Sequence, residues 1–148
     1  MRAVCVMFLT FTSLWLPPAA LASGEAGLVK TLQGEVRIER GTAGFPAEVG
    51  STLLPKDRIV VGATGRVGLS LKDETLLSLG PQSVMVIDEF AFNPVSREGR
   101  VDTSLVRGTL RYVSGLIGRL NPEAISVKTP TATVGIRGTD FIVEVPVE

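Results

Sequence analysis

The sequence predicts a single all-β domain, built either as a twisted, β-solenoid-like stack of short strands or as a β-sandwich. Three observations predict it. Apolar and polar residues alternate at period two over short runs, and no stretch sustains a helical period. Glycines punctuate these runs at Gly34, Gly41, Gly50, Gly62, Gly65, Gly80, Gly99, Gly108, Gly115 and Gly138, each at or near an apparent strand end. Turn signals at such regular spacing belong to sandwiches, barrels and short solenoids, so the stack and the sandwich both stay open.

Taken in order, Val36 and Ile38 alternate with Glu35, Arg37 and Glu39, giving one buried and one solvated face. Ile59-Val60-Val61 is a continuous apolar triplet, as in a strand covered on both sides. After the Ala63-Thr64-Gly65 turn, Val67, Leu69 and Leu71 point one way, and Arg66, Ser70 and Lys72 the other. Asp73-Glu74 is expected to be a solvated hairpin turn before a strand carrying Leu77 and Leu79. Pro81 belongs to the turn ahead of Val84 to Ile87, since proline breaks a central ladder. Asn93 to Arg100 has the Asn-Pro, Ser and Glu-Gly content of a long exposed loop. Val101 to Val106 and Thr109 to Val113 read as two strands split at Arg107-Gly108. Ser114 to Ala124 fits one helical turn at most, because Gly115, Gly118 and Pro122 oppose anything longer. Ile125 to Lys128, Ala132 to Ile136, and a last strand through Phe141, Val143 and Val145 complete the series.

The N-terminus has a different layout. Met1-Arg2 supplies one positive charge, Ala3 to Leu16 is almost unbroken apolar sequence, and Pro17-Pro18 and Ala20-Leu21-Ala22 follow. That is the layout of a secretory signal peptide over residues 1–22, cleaved after Ala22, so the protein is expected in the periplasm or outside the cell. Residues 23–33 would be a short lead and 34–148 the β-domain. No later run is apolar enough to span a membrane once the signal is removed. Cys5 falls within the signal and there is no histidine, which leaves the exported chain without the usual disulfide, thiol or imidazole chemistry. No cofactor or metal is expected. Lys+Arg and Asp+Glu stand at 15 each, so nothing in the charge favours nucleic acid.

One block stands apart from a plain strand pattern. Thr129-Pro130-Thr131-Ala132 is followed by Gly135-Ile136-Arg137-Gly138-Thr139-Asp140-Phe141, which combines a Thr-Pro break, an alternating strand and an Arg-Gly-Thr-Asp turn. This block resembles the closing signature of FecR domains. Gly34-Glu35-Val36, Val49-Gly50-Ser51-Thr52-Leu53 with Lys56-Asp57-Arg58-Ile59, Gly65 to Asp73, and Gly108-Thr109-Leu110 resemble earlier parts of the same domain. The resemblance implies a periplasmic all-β module of envelope signalling or surface assembly. The regulator form of the family places an anti-sigma segment and a membrane helix ahead of this domain. A signal peptide stands there instead, which points away from an anti-sigma role. Asp73-Glu74 replaces the family's usual Asp-Gly. The sequence ends at Glu148, where many relatives continue with further strands, so a minimal domain or an open sheet edge is expected.

Within the signature, Gly138 is expected to supply a backbone conformation closed to side chains, and Phe141 to anchor the core. Asp140 or Thr139 would cap backbone N–H groups, and Arg137 would bond carbonyls or a carboxylate. Phe90, Phe92, Asn93, Arg97 and Arg100 form a candidate partner-binding patch, with core packing as the plainer role for the two aromatics. Of the carboxylates, Asp57, Asp73, Glu74, Asp88, Glu89 and Asp140 stand out, but no nucleophile or phosphate-cradling motif accompanies them. The reading is therefore a non-catalytic binding or scaffold module. Its partner would be an envelope protein, with a glycan or peptidoglycan as a further class of ligand. The alternative is a structural subunit that self-associates through the open edge.

Overall fold

A computed structural model describes residues 24–148; the expected signal peptide, with Cys5 and Trp15, lies outside them. The strands are β1 (Gly27–Gln33), β2 (Val36–Arg40), β3 (Ala43–Pro46), β4 (Thr52–Leu53), β5 (Arg58–Val61) and β6 (Arg66–Leu71). They continue with β7 (Leu76–Leu79), β8 (Val84–Phe92), β9 (Gly99–Val113), β10 (Ile125–Lys128), β11 (Thr133–Gly135) and β12 (Asp140–Val145). One short helix, α1 (Leu116–Leu120), and a 3₁₀ turn at Pro122–Ala124 separate β9 from β10. The fold is thus the expected all-β single domain. Its strands form one curled sheet in the order β3-β2-β5-β8-β9-β7-β6-β1-β4, with β10 and β12 also on β9 and β11 on β10. Pairing is antiparallel throughout except between β10 and β9.

The curl follows from chain reach. Gly135 lies opposite Ser126, which lies opposite Asp102 near the start of β9; Asp140 lies opposite Val113 at its end. Five residue steps join Gly135 to Asp140, a span of at most about 18 Å. A straight strand from Asp102 to Val113 would run about 37 Å. The two ends of β9 must therefore approach each other, so β9 bends and its halves face one another across the core.

The bend sits at Gly108, whose φ is +90°. Pairing with β8 slips there: Met85 faces Leu105, but Val84 faces Arg107. This is a β-bulge, and it exchanges the inward set from Val101, Thr103 and Leu105 to Leu110 and Tyr112. A side chain at Gly108 would lie 2.5 Å from the Cα of Ser83. The buried Ser83 hydroxyl fixes the corner, accepting from the Thr109 N–H (2.9 Å) and donating to the Thr109 carbonyl (3.2 Å). Around this corner the core is filled from one half by Val67, Leu69, Leu71, Leu77, Leu79 and Leu110, and from the other by Ile38, Ile59, Met85, Ile87, Leu105 and Val127.

Several sequence expectations change. Gly27–Gln33, expected as a lead, is a strand paired with both β6 and β4, so the folded unit begins before Gly34. The two strands expected either side of Arg107-Gly108 are one strand, because a bulge bends the ladder without ending it. The Asn93 to Arg100 loop is shorter than expected: β9 starts at Gly99, and the Asn93 N–H donates to the Glu98 carbonyl to close a hairpin. Asp73-Glu74 does turn the chain between β6 and β7, but only Glu74 is solvated. Asp73 is fully buried, its carboxylate accepting from the Thr75 hydroxyl (2.7 Å) and N–H (3.2 Å).

Gly108→Ala is expected to destabilise the protein by about 3 kcal/mol, since it adds positive-φ strain to a backbone clash. Urea denaturation of the two proteins measures it, and a midpoint equal to wild type would contradict the corner's role.

Candidate functional site at the signature strand

The signature residues occupy the turn after β10, the strand β11, and the crossing from β11 to β12. The turn is closed locally: the Thr129 N–H donates to the Ala132 carbonyl (2.7 Å), and the Ala132 N–H donates back to the Thr129 hydroxyl (3.1 Å). Pro130 lies exposed between them. On the crossing, Ile136 is buried and Arg137, Gly138 and Thr139 are exposed. Gly138 adopts φ +146° with open space where a Cβ would stand, so backbone conformation, rather than crowding, calls for glycine. The crossing is pinned from β9, as the Ser114 N–H donates to the Thr139 carbonyl (2.8 Å) and its hydroxyl to the Gly138 carbonyl (3.3 Å).

Asp140 does not cap backbone N–H groups as expected. Its carboxylate takes a two-point contact from the Arg111 guanidinium, at 3.1 Å from Nε and 2.6 Å from Nη2. Those hydrogen bonds, and the Arg111 charge, hold the Asp140 carboxyl below its usual range. Arg111 is the cross-strand neighbour of Ile142, and nothing in the local sequence marks it as the partner. Phe141 stacks on Tyr112, with ring centroids 5.1 Å apart and planes 16° from parallel. Tyr112 is fully buried, and burial pushes its phenol up, so it stays neutral. Arg137, expected to bond carbonyls or a carboxylate, makes no hydrogen bond or ion pair among the described residues.

The parity of β12 separates fold from surface. Gly80 donates to the Thr109 carbonyl on the β7 side, and Ser114 donates to Thr139 on the β12 side. Because antiparallel hydrogen-bonded pairs alternate, Phe141, Val143 and Val145 direct their N–H and C=O groups to β9. Asp140, Ile142 and Glu144 direct theirs away from it. Among the described residues β12 pairs with β9 alone, so these three carry free backbone donors and acceptors. Ile142 is 66% exposed. A groove of about 460 Å³ runs between β11 and β12, and a second depression of about 920 Å³ lies on the other side of the crossing. Arg137 borders both.

In the other candidate patch, the two aromatics take the core-packing role expected as the plainer one. A bulge at Asp88 shifts β8 by one residue, which turns Phe90 and Phe92 onto the core face, half-buried. The Asn93 side chain accepts from the N–H groups of Val95 (2.9 Å) and Ser96 (3.2 Å), capping the hairpin. Arg100 is engaged by Asp102 (2.7 Å) and Glu89 (3.6 Å). Arg97, with φ +60°, is exposed at the tip beside Val95 and has no side-chain partner among the described residues.

The remaining carboxylates have separate partners, except that Glu89 and Asp102 share Arg100. Asp57 is fully buried against Arg40, whose Nε and Nη2 both donate at 2.7 Å, and it also accepts from the Leu54 N–H at 2.8 Å. Asp88 accepts from the Ser104 hydroxyl. Asp102 accepts from Ser126 (2.6 Å) as well as Arg100, tying β10 to β9. Burial acts to raise the Asp102 carboxyl, but those two hydrogen bonds and the charges of Arg100 and Lys128 outweigh it and leave it low. Among the described residues no cluster of three acidic side chains is placed to hold a metal ion.

An all-β domain curled about one bent strand and closed by a pinned Gly-Ile-Arg-Gly crossing is the class this structure defines. Residues 57–147 match the family model described as FecR protein, and the chain belongs to the FecR family of envelope-signalling domains. No curated protein and no solved structure matches it. No described helix is long and apolar enough to cross a membrane.

Phe141→Ala is expected to lower stability by about 2–3 kcal/mol, less than for a fully buried ring. Gly138→Val should cost about 1–3 kcal/mol through backbone strain alone. Unchanged thermal midpoints would contradict both. A lowered carboxyl pKa stabilises the folded state above the unfolded value, near pH 4, and the contribution is lost as pH falls through the folded value. The stability difference between wild type and Asp102→Asn should therefore shrink on acidification from pH 5 to pH 2. Denaturation curves at fixed pH measure it; a constant difference would contradict the assignment.

Proposed function

We propose that this protein is an exported, non-catalytic binding module of envelope signalling or assembly, which takes up an extended segment of an envelope protein by strand addition at β12. The observation that carries this reading is the outward set of backbone groups on Asp140, Ile142 and Glu144. An unpaired edge of this kind offers main-chain hydrogen bonds to a partner strand, while the side chains beside it select the partner. Export is supported by the signal-peptide layout of residues 1–22. A non-catalytic role is supported by the separation of the carboxylates into unrelated ion pairs and caps. The β8–β9 hairpin tip, with Val95 exposed and Arg97 unpaired, is a second surface against which the same partner would rest.

Strand addition separates sharply from folding at Ile142. Its N–H points away from β9, so proline there removes a donor the fold does not use, as edge strands tolerate. Ile142→Pro is expected to keep a cooperative thermal transition and to lose capture of the envelope partner, whereas Ile142→Thr retains it. Undiminished capture by a folded Ile142→Pro protein would overturn the reading.

A further inference from the structure

We infer that the β12 edge is guarded against a second copy of this chain and selects an antiparallel strand from a different protein, with a basic residue opposite Glu144 and an acidic one beside Arg137. This deepens the strand-addition reading and rests on it. Consider first a second copy. The two-fold register that uses all three outward residues sets Ile142 against Ile142 and Glu144 against Asp140 of the other copy, twice over. Like charges directly opposite one another destabilise a strand pair. Sliding by two residues in either direction relieves the clash but pairs only two of the three outward residues of β12 on each copy. Charged edge residues are a common defence against such pairing.

The same charges favour a different occupant. Asp140 already has a cation in Arg111, an exposed pair that offsets its charge only in part, so the unmet ionic demand lies with other residues. Glu144 and Arg137 have no ionic partner among the described residues, and both line the groove between β11 and β12. Arg137 is held in place by its neighbours. Ile136 is buried on one side, and the Gly138 and Thr139 carbonyls are fixed by Ser114 on the other. A guanidinium on a pinned backbone, with no carboxylate of its own, is suited to receive one from outside. Between the two charges Ile142 presents an exposed apolar side chain. Read antiparallel to β12, the complementary segment has a basic residue first, an apolar residue two positions on, and, beyond the start of β12 at Asp140, an acidic residue to meet Arg137.

The probe is the acetylated, amidated peptide Lys-Thr-Val-Thr-Ser-Thr-Glu, with Glu-Thr-Val-Thr-Ser-Thr-Lys as its charge-reversed control. Titration of the exported protein, followed by amide NMR, is expected to shift Asp140, Ile142 and Glu144, with the first peptide about tenfold tighter than the second. The preference should reverse in the double variant Arg137→Glu, Glu144→Lys. In sedimentation, wild type should stay monomeric, Glu144→Lys should dimerise, and adding Ile142→Pro should dissolve that dimer. Equal binding of both peptides at these amides would overturn the charge assignment while leaving strand addition intact. A wild-type dimer dissolved by Ile142→Pro would overturn it in favour of self-association. Failure of both peptides to shift these amides would overturn strand addition itself.

Discussion

The bend of β9 at Gly108 is the constraint on which the rest of the fold depends. Before the bend, β9 pairs with β8 and β10; after it, with β7 and β12. Both edges of one strand are thus occupied along both halves, and every layer of the core is referred to it. If β9 ran straight, the short crossing from β11 could not reach its far end, and β12 would have no place in the sheet. The bulge also exchanges odd for even residues on the inner face. Leu110 and Tyr112 can then meet the same core as Val101 and Leu105.

The signature block follows from that geometry. Its crossing must span from one half of the curl to the other in few residues, turn without a helix, and leave Ile136 inside. Gly138 supplies the turn, and Ser114, at the end of β9, supplies hydrogen bonds that fix where the crossing lands. Phe141 then falls on Tyr112, two residues before Ser114. The Arg111–Asp140 pair is exposed and screened by salt, so its role is better placed in register than in stability.

Much of this was legible in the sequence where period two was unbroken. Val36 and Ile38, the Val67-Leu69-Leu71 set, Leu77 and Leu79, and the Phe141-Val143-Val145 set all face the core as their alternation indicates. One failure occurs where a single extra residue changes parity. The bulge before Gly108 joined two apparent strands into β9, whereas the one at Asp88 turned Phe90 and Phe92 to the core, the plainer of the two roles expected for them. Local pattern cannot reveal either, because a bulge is defined by the partner strand. Asp73 misled for a related reason: a carboxylate reads as solvated until Thr75 and the packing around it are known. β1 lies ahead of Gly34, where the family resemblance begins, and a register shift between Val29 and Thr31 interrupts its alternation.

A strand that closes a fold and also offers an edge has two demands placed on neighbouring residues, and β12 divides them by parity. Phe141, Val143 and Val145 give their side chains to the core and their backbone groups to β9. Asp140, Ile142 and Glu144 give both to the outside. Substitution in the second set therefore leaves the packing of the first undisturbed. Arg137 lies ahead of the strand and outside this alternation, held by the backbone of its neighbours instead. Its side chain makes no hydrogen bond or ion pair among the described residues, so its loss would leave those contacts of the fold intact.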